Sequence, residues 1–494
     1  MRFTGFLVLS LIKQSYRYQN MSHDNSPLKS AQPEVSRRDF VKGSSVIAAS
    51  TALTSLSTKA ATLPYSASYG PLSMKTCKAT GLALLALPEG FEYTSYGWTG
   101  QIQSDRTITP TDHDGMAVVA AKQNIICLVR NHELSQGEGA KCDPASGRGI
   151  YNPTQYGGTT NILFDADSGR FLSSYNSLGG TIRNCAGGLT PWSTWLSCEE
   201  TYQENSGYYH GYVFEVPGFG ISDGKPIREM GRFSHEAVAV DPATGFVYET
   251  EDAGSSCFYK FEPTGAYGDL KSGGRLYAMV LNNTSRVDLR GGLVEGTTWD
   301  VSWQEVADPD AINQRCFDQA SDAAIIERGE GCWYDDGKIY FVSTSGGAAN
   351  LGQIFCFDPR KQTLTLVFES TSDSEVDGPD NIAVSPRGSI LMCEDGGSNP
   401  KRLVGLTQAG ETFTFCENHI ALDQGDVQTI DQVYPGVAEN FWDSVGPSMN
   451  GSNRRSFSSR EWAGACFHGR WLFVNVQSPG VTFAITGPWE NGAL

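Results

Sequence analysis

Short apolar runs punctuated by glycine and turn residues fill the chain from Ile125 onward, and few stretches carry the 3.6-residue period of an amphipathic helix. Four segments share one layout, a turn followed by an alternating or apolar strand: Asp241 to Thr250, Asp335 to Thr344, Pro386 to Asp395 and His468 to Val476. Their starts lie 94, 51 and 82 residues apart, each one or two blade lengths of a propeller. Gly352 to Pro359 followed by Leu364 to Phe368 reads as a hairpin. The pattern predicts an all-β fold built as a β-propeller, with a sandwich or a pair of barrels as the competing arrangement. Thr80 to Leu87 is a helical candidate, or else it opens a strand. In a propeller the innermost strands line a central channel, so side chains hundreds of positions apart can meet at their ends.

The first sixty residues follow a different pattern. Ser36-Arg37-Arg38-Asp39-Phe40-Val41-Lys42 precedes a weakly apolar run from Ser44 to Leu56, with small residues at Ala60-Ala61. Basic residues, a short apolar region and a small-residue site describe a secretory signal too short to span a bilayer stably. The paired arginines resemble the twin-arginine export signal. A second apolar stretch, Phe3 to Ile12, lies ahead of Met21. A start at Met21 would give a conventional leader, which makes residues 1–20 a product of start-site choice or else a short anchor. The expected organisation is therefore an export segment over residues 1–61 and a single propeller over 62–494.

Charge narrows the partners. The 494 residues hold 55 Asp and Glu against 37 Lys and Arg, a net charge of -18. Such a surface repels nucleic acid and anionic lipid, so neither nucleic acid nor a stable membrane association is expected. An anionic substrate would also be repelled unless bound cations reversed the local field. Twelve cysteines in an exported chain permit disulfides. Cys127 with Cys142, and Cys316 with Cys332, are the local pairs to test, while Cys198, Cys356 and Cys393 lie inside apolar runs where buried free thiols are common.

Acidic residues recur where the pattern changes. Asp114 precedes the strand-like run Ala117 to Ala121, and Glu133 closes the run Ile125 to Val129 in Arg130-Asn131-His132-Glu133. Glu236 leads into Ala237 to Val240, Glu330 lies in Arg328-Gly329-Glu330-Gly331-Cys332-Trp333, and Asp380 precedes Ile382 to Val384. In Asn184-Cys185-Ala186-Gly187-Gly188 a cysteine sits in a glycine-rich turn, and the run Trp195-Leu196-Ser197-Cys198 then delivers Glu199 and Glu200. Carboxylate oxygens suit Ca²⁺, and a mixed thiolate and carboxylate set suits iron or zinc. HExxH, a Gly-x-Ser-x-Gly elbow and a P-loop are all absent. A metal-dependent enzyme is the leading expectation.

These same stretches resemble a known family. Arg130 to Glu133, Asn184 to Glu200, Gly231 to Glu236, Arg328 to Tyr334 and Asn475 to Gly480, together with the leader, are similar to the PhoX-type alkaline phosphatases. The likeness spans nearly all of the mature chain, and the run from Cys185 to Trp192 is its most specific part. The resemblance implies a six-bladed propeller, exported to the periplasm or the cell exterior, that holds Fe³⁺ and Ca²⁺ in its channel and hydrolyses phosphomonoesters. It implies that Cys185 bridges metal ions and that Glu236, Glu330 and one of Glu199 and Glu200 bind the cluster, because adjacent strand residues point oppositely. Arg328 matches the phosphate-contacting arginine, while Glu133, Asp114 and Asp380 are candidate calcium ligands. Implied partners are small phosphomonoesters and the twin-arginine translocation machinery, with a monomer expected. Ser478 stands where the family usually has His. A calcium-dependent lactonase or phosphodiesterase on the same fold is one alternative; a non-catalytic periplasmic binding propeller, which Ser478 favours, is the other.

Overall fold

The computed structural model describes residues 68–447 and 453–494, all within one compact unit. The twin-arginine stretch and both apolar runs of the leader lie outside these residues. Strand pairing groups the chain into six four-stranded antiparallel blades. Their innermost strands are His113–Lys122, Asn184–Leu189, His235–Val240, Gly329–Asp335, Pro379–Val384 and Trp462–His468. Each innermost strand contacts the next, and the sixth returns to the first. Glu92–Tyr96 pairs with Val481–Thr486, so the start of the propeller supplies the outer strand of its last blade. Radial repetition of this kind leaves only short, protected edges around the channel.

The four recurrent segments supply the second strands of blades three to six: Val247–Glu251, Lys338–Ser343, Ile390–Glu394 and Trp471–Val476. The hairpin is Gln353–Asp358 with Thr363–Glu369. Thr298–Glu305 extends blade three and also pairs with Thr363–Glu369 of blade four.

Thr80 to Leu87 forms no helix. Ala83–Leu87 is a strand that adds to the outer edge of blade five, where four of its five residues are buried. Bounded by Gly81 and Pro88, the run is too short to sustain a helix in isolation. Real helices occur elsewhere, Gln424–Val433 and Val437–Val445, in the connection from blade five to blade six. Asp423 accepts hydrogen bonds from the Gly425 and Asp426 amides at 2.8 and 3.0 Å, and the Asp423 amide donates to the Asp426 carboxylate at 2.9 Å. Among the described residues no helix is long and apolar enough to cross a membrane.

All twelve cysteines are unpaired and buried, which corrects both local pairs. Cys127 lies opposite Leu163, whereas Cys142 packs against Gly158 five residues further along the same strand. At about 3.3 Å per residue no disulfide spans that gap. Cys332 lies on an innermost strand, while Cys316 opens a short helix in the connection ahead of it.

Candidate metal centre

Each blade meets the channel with the same local device. The first paired residues of the two inner strands are His113 with His132, Asn184 with Glu199, His235 with Glu251, Gly329 with Ser343, Pro379 with Glu394 and Trp462 with Val476. In blades one to five the ladder then skips two residues of the innermost strand. A bulge of this sort re-aims side chains. The first residue of each bulge is Asp114, Cys185, Glu236, Glu330 or Asp380, and the second is small or short: Gly115, Ala186, Ala237, Gly331 or Asn381. Close packing of neighbouring strands demands this: a Cβ on Gly115 would lie 2.5 Å from the Ala186 Cα, and one on Gly331 2.6 Å from the Asp380 carbonyl. In blade six the bulge falls one residue later and the matching position is Ala463, which offers no ligand atom.

Two further rings surround the bulge ring. The residue that leaves each second strand donates its amide to the carbonyl of the residue that enters the first strand. These pairs are Glu133 to Asp112, Glu200 to Arg183, Asp252 to Ser234, Thr344 to Arg328, Asp395 to Gly378 and Gln477 to Glu461, all at 2.8–3.1 Å. Asp114, Glu236, Glu330 and Asp380 thus lie inside the innermost strands rather than ahead of them, while Glu133 and Glu200 follow their second strands directly, as the sequence suggested.

Together the rings form a continuous arc of possible ligands. Asp114, Glu133 and Cys185 bring ligand atoms within 4.8 Å of one another, as do Cys185, Glu200 and Glu236, then Glu236, Glu330 and Asp380, then Asp380, Asp395 and Glu461. The Cys185 Sγ lies 3.5 Å from Asp114 Oδ2 and 3.2 Å from Glu236 Oε1. Two arginines flank the arc. Arg328 is held by Asp252 through Nε and Nη2 at 2.9 and 3.0 Å and reaches Glu330 at 2.6 Å. Arg183 pairs with Glu133 at 2.7 Å and with Glu200.

Residues 67–480 match the family described as alkaline phosphatase PhoX. The chain belongs to this family. It is a phosphatase on that ground, and the family is metal-dependent. No curated protein sequence matches the chain. Among solved structures, PhoX from Pseudomonas fluorescens in complex with vanadate, a transition-state analogue, superposes with a TM-score of 0.58 at 16% identity, covering 86% of this chain and 99% of that one. A catalytically inactive virginiamycin B lyase from Staphylococcus aureus with quinupristin gives a TM-score of 0.38 at 11% identity, covering 80% and 99%. The first of these shows a shared propeller fold.

The donor set of this PhoX chain fits bound cations. Eight carboxylates and one thiol make up the arc, against the guanidinium groups of Arg183 and Arg328 and the Lys401 ammonium 3.8 Å from Asp395, and Glu236 Oε2 and Asp380 Oδ1 are buried with no hydrogen-bond partner. Burial, then the charge of Asp380, pushes the Asp114 carboxyl up to about 8, and burial raises Asp380 to about 7. Burial also lifts Glu133, Glu236, Glu330 and Glu461 well above the usual carboxylate range, with the charges of neighbouring carboxylates adding to it. The Cys185 thiol is raised by burial and then by Asp114 and Glu236. Groups that repel one another this way relax when multivalent cations sit between them. Beyond the bulges the same strands turn apolar, and Met116, Val238, Cys332 and Ile382 help line a cavity of about 160 Å³.

Of the residues singled out in the sequence, Asp114, Glu133, Cys185, Glu200, Glu236, Glu330 and Asp380 come together, with Arg328 at their side. Glu199 does not join them. Its fully buried carboxylate faces the blade interior, where His210 Nδ1 bonds it at 2.6 Å and the amides of Ile182, Gly211 and Tyr212 donate to it at 2.9–3.2 Å. Replacing Glu199 with alanine is expected to cost about 3–5 kcal/mol of stability by stranding a buried network, while the folded fraction keeps its metal content. Denaturant unfolding with elemental analysis checks this. Asp395, Glu461, Arg183 and Asp252 escaped the sequence reading. Aligning the strand ends would have found all four, because Asp395 and Asp252 leave second strands as Glu133 does, and Arg183 and Glu461 enter first strands as Arg328 does. Ser478 follows Gln477 and falls outside all three rings.

Proposed function

We propose that this phosphatase hydrolyses phosphomonoesters with Fe³⁺ and Ca²⁺ held in the channel mouth. The observation that carries the reading is the meeting of one thiol and acidic side chains from every blade beside Arg328. Cys185, Glu200, Glu236 and Glu330 would hold the iron, since a mixed thiolate and carboxylate set suits it, and Asp114, Glu133, Asp380, Asp395 and Glu461 would hold calcium by oxygen alone. The bound cations supply Lewis-acid neutralisation of the phosphoryl oxygens.

The side chains themselves supply orientation. Asp252 locks the guanidinium of Arg328 by a two-point contact and Glu330 accepts from Nη2 as well, so that the two N–H groups of Nη1 are those left for phosphoryl oxygens. The four histidines His113, His132, His210 and His235 are not poised as general bases: each is fully buried and bonded, to Pro110, Thr111, Glu199 and Glu249 respectively. Gln477 donates to Glu133 at 2.8 Å and fixes that carboxylate, so the site keeps its acidic wall with Ser478 in place.

Export by the twin-arginine route to the periplasm or beyond is part of the proposal. The Ser36–Lys42 motif supports it, and so do twelve buried free thiols, which suit a chain folded before it meets an oxidising compartment. The deciding experiment is elemental analysis of protein purified without chelator, paired with a phosphomonoesterase assay at alkaline pH. Iron and calcium with turnover are expected; calcium alone, or no turnover by the metal-loaded protein, overturns the reading. Arg328→Ala is expected to keep its metals and weaken inhibition by inorganic phosphate about 10–100-fold, the loss of one or two charge-assisted hydrogen bonds.

A further inference from the structure

Arg183 and Arg328 occupy the same structural position in blades two and four. Each enters an innermost strand, and each carbonyl receives the amide of the residue leaving the second strand. Each guanidinium reaches back to an acid that leaves the preceding blade's second strand, Glu133 for Arg183 and Asp252 for Arg328. Each also pairs with an acid of its own blade, Glu200 or Glu330. Both arginines adopt left-handed backbone, with φ of 49° and 47°. Blade five, which takes the same turn at Gly378 with φ of 59°, uses glycine. An arginine there accepts backbone strain that glycine avoids.

Arg183 is not used up by its ion pairs. Both contacts pass through the single atom Nη2, and its Nε is buried with no hydrogen-bond partner. The side chain is 40% exposed, against 43% for Arg328, so both reach the mouth. The arc separates them. Glu200 and Cys185 lie within 4.8 Å of Glu236 on one side, and Glu330 lies within 4.8 Å of it on the other. A tetrahedral anion seated over Cys185, Glu236 and Glu330 would have a guanidinium on each flank.

We propose that Arg183 is a second substrate-contacting arginine, which grips a phosphoryl oxygen from the side opposite Arg328 and selects dianionic phosphomonoesters over diesters. The inference rests on the phosphatase reading above. A monoester offers three non-bridging oxygens and two negative charges, enough for two cationic forks; a diester offers two oxygens and one charge. Losing one fork therefore costs the monoester more.

The test compares metal-loaded wild type, Arg183→Gln and Arg183→Lys. Its readouts are metal content, KM and kcat for p-nitrophenyl phosphate and bis-p-nitrophenyl phosphate, and calorimetric binding of inorganic phosphate. For Arg183→Gln, phosphate binding is expected to weaken, and the ratio of monoester to diester kcat/KM to fall, each by ~10-fold or more, as loss of a charge-assisted hydrogen bond implies. Metal content should hold, and Arg183→Lys should recover part of the phosphate binding. Unchanged phosphate binding and an unchanged ratio in a fully loaded Arg183→Gln overturn the role of Arg183 while leaving the phosphatase reading intact. Loss of metal in Arg183→Gln with no rescue by lysine overturns it too, reducing Arg183 to a brace for Glu133 and Glu200. Wild type that neither binds phosphate nor turns over the monoester fails at the prior step, and both readings fall.

Discussion

Cys185→Ala is expected to lose bound metal and phosphatase activity together. The sulfur is shared by two neighbouring ligand groups, one with Asp114 and Glu133 and one with Glu200 and Glu236, so it sits at a joint of the arc rather than at its end. Removing groups that merely orient a metal ligand costs about 10–100-fold in affinity or activity; removing a shared ligand should cost kcat/KM at least ~100-fold. The packing loss is small by comparison, since one buried sulfur atom accounts for about 1 kcal/mol. The variant should therefore fold, unfold cooperatively and fail to load. Cys185→Ser keeps the volume and replaces a soft donor with a hard one, and it too should lose iron while retaining more calcium. Elemental analysis beside a thermal melt separates the outcomes. An alanine variant that kept its iron would show that the thiol only packs.

Much of this was legible in the chain because a propeller repeats. The four turn-and-strand segments became the second strands of four blades, since each must carry an apolar alternating strand to pack between its neighbours. Asp114, Glu236, Glu330 and Asp380 stood out because a bulge needs a small residue after the channel-facing one, which leaves an acid beside Gly, Ala or Asn. What stayed hidden has physical causes as well. Glu199 and Glu200 are chemically alike, and only the pairing of Asn184 with Glu199 decides that Glu200 leaves the strand toward the channel. Glu461 belongs to the one blade whose bulge residue, Ala463, is apolar, so nothing in its own stretch announced a ligand. The helices Gln424–Val433 and Val437–Val445 interrupt a β pattern and declare themselves only through the Asp423–Asp426 cap. Cysteine spacing misled because thiols in tightly packed blades serve as small apolar fillers.

Metal removal is expected to destabilise the protein far more at pH 8 than at pH 5. In the metal-free fold Asp114 releases its proton only at about 8 and Asp380 at about 7, both from an ordinary 3.8, because burial disfavours their charged forms. In the unfolded chain both are ionised above roughly pH 4. The raised groups thus favour the folded state fully below about pH 4. Between pH 4 and 8 the unfolded chain sheds protons that the metal-free fold retains, so stability falls as pH rises and levels off once the folded groups have ionised. A tenfold difference in proton affinity is worth about 1.4 kcal/mol, so these two groups alone account for several kcal/mol across the window. That corresponds to a fall in Tm of roughly 5 °C or more. Bound cations abolish the effect, since they take the place of the protons and make the ionised arc the favoured form. Thermal melts with and without chelator at pH 5 and pH 8 measure it, with the chelator-induced drop expected to be the larger at pH 8. A chelator effect of equal size at both pH values would mean that the arc does not carry the binding. The same linkage accounts for why a phosphatase of this construction belongs at alkaline pH: there protons no longer compete for the carboxylates that hold its metals, and the fold depends most on having them.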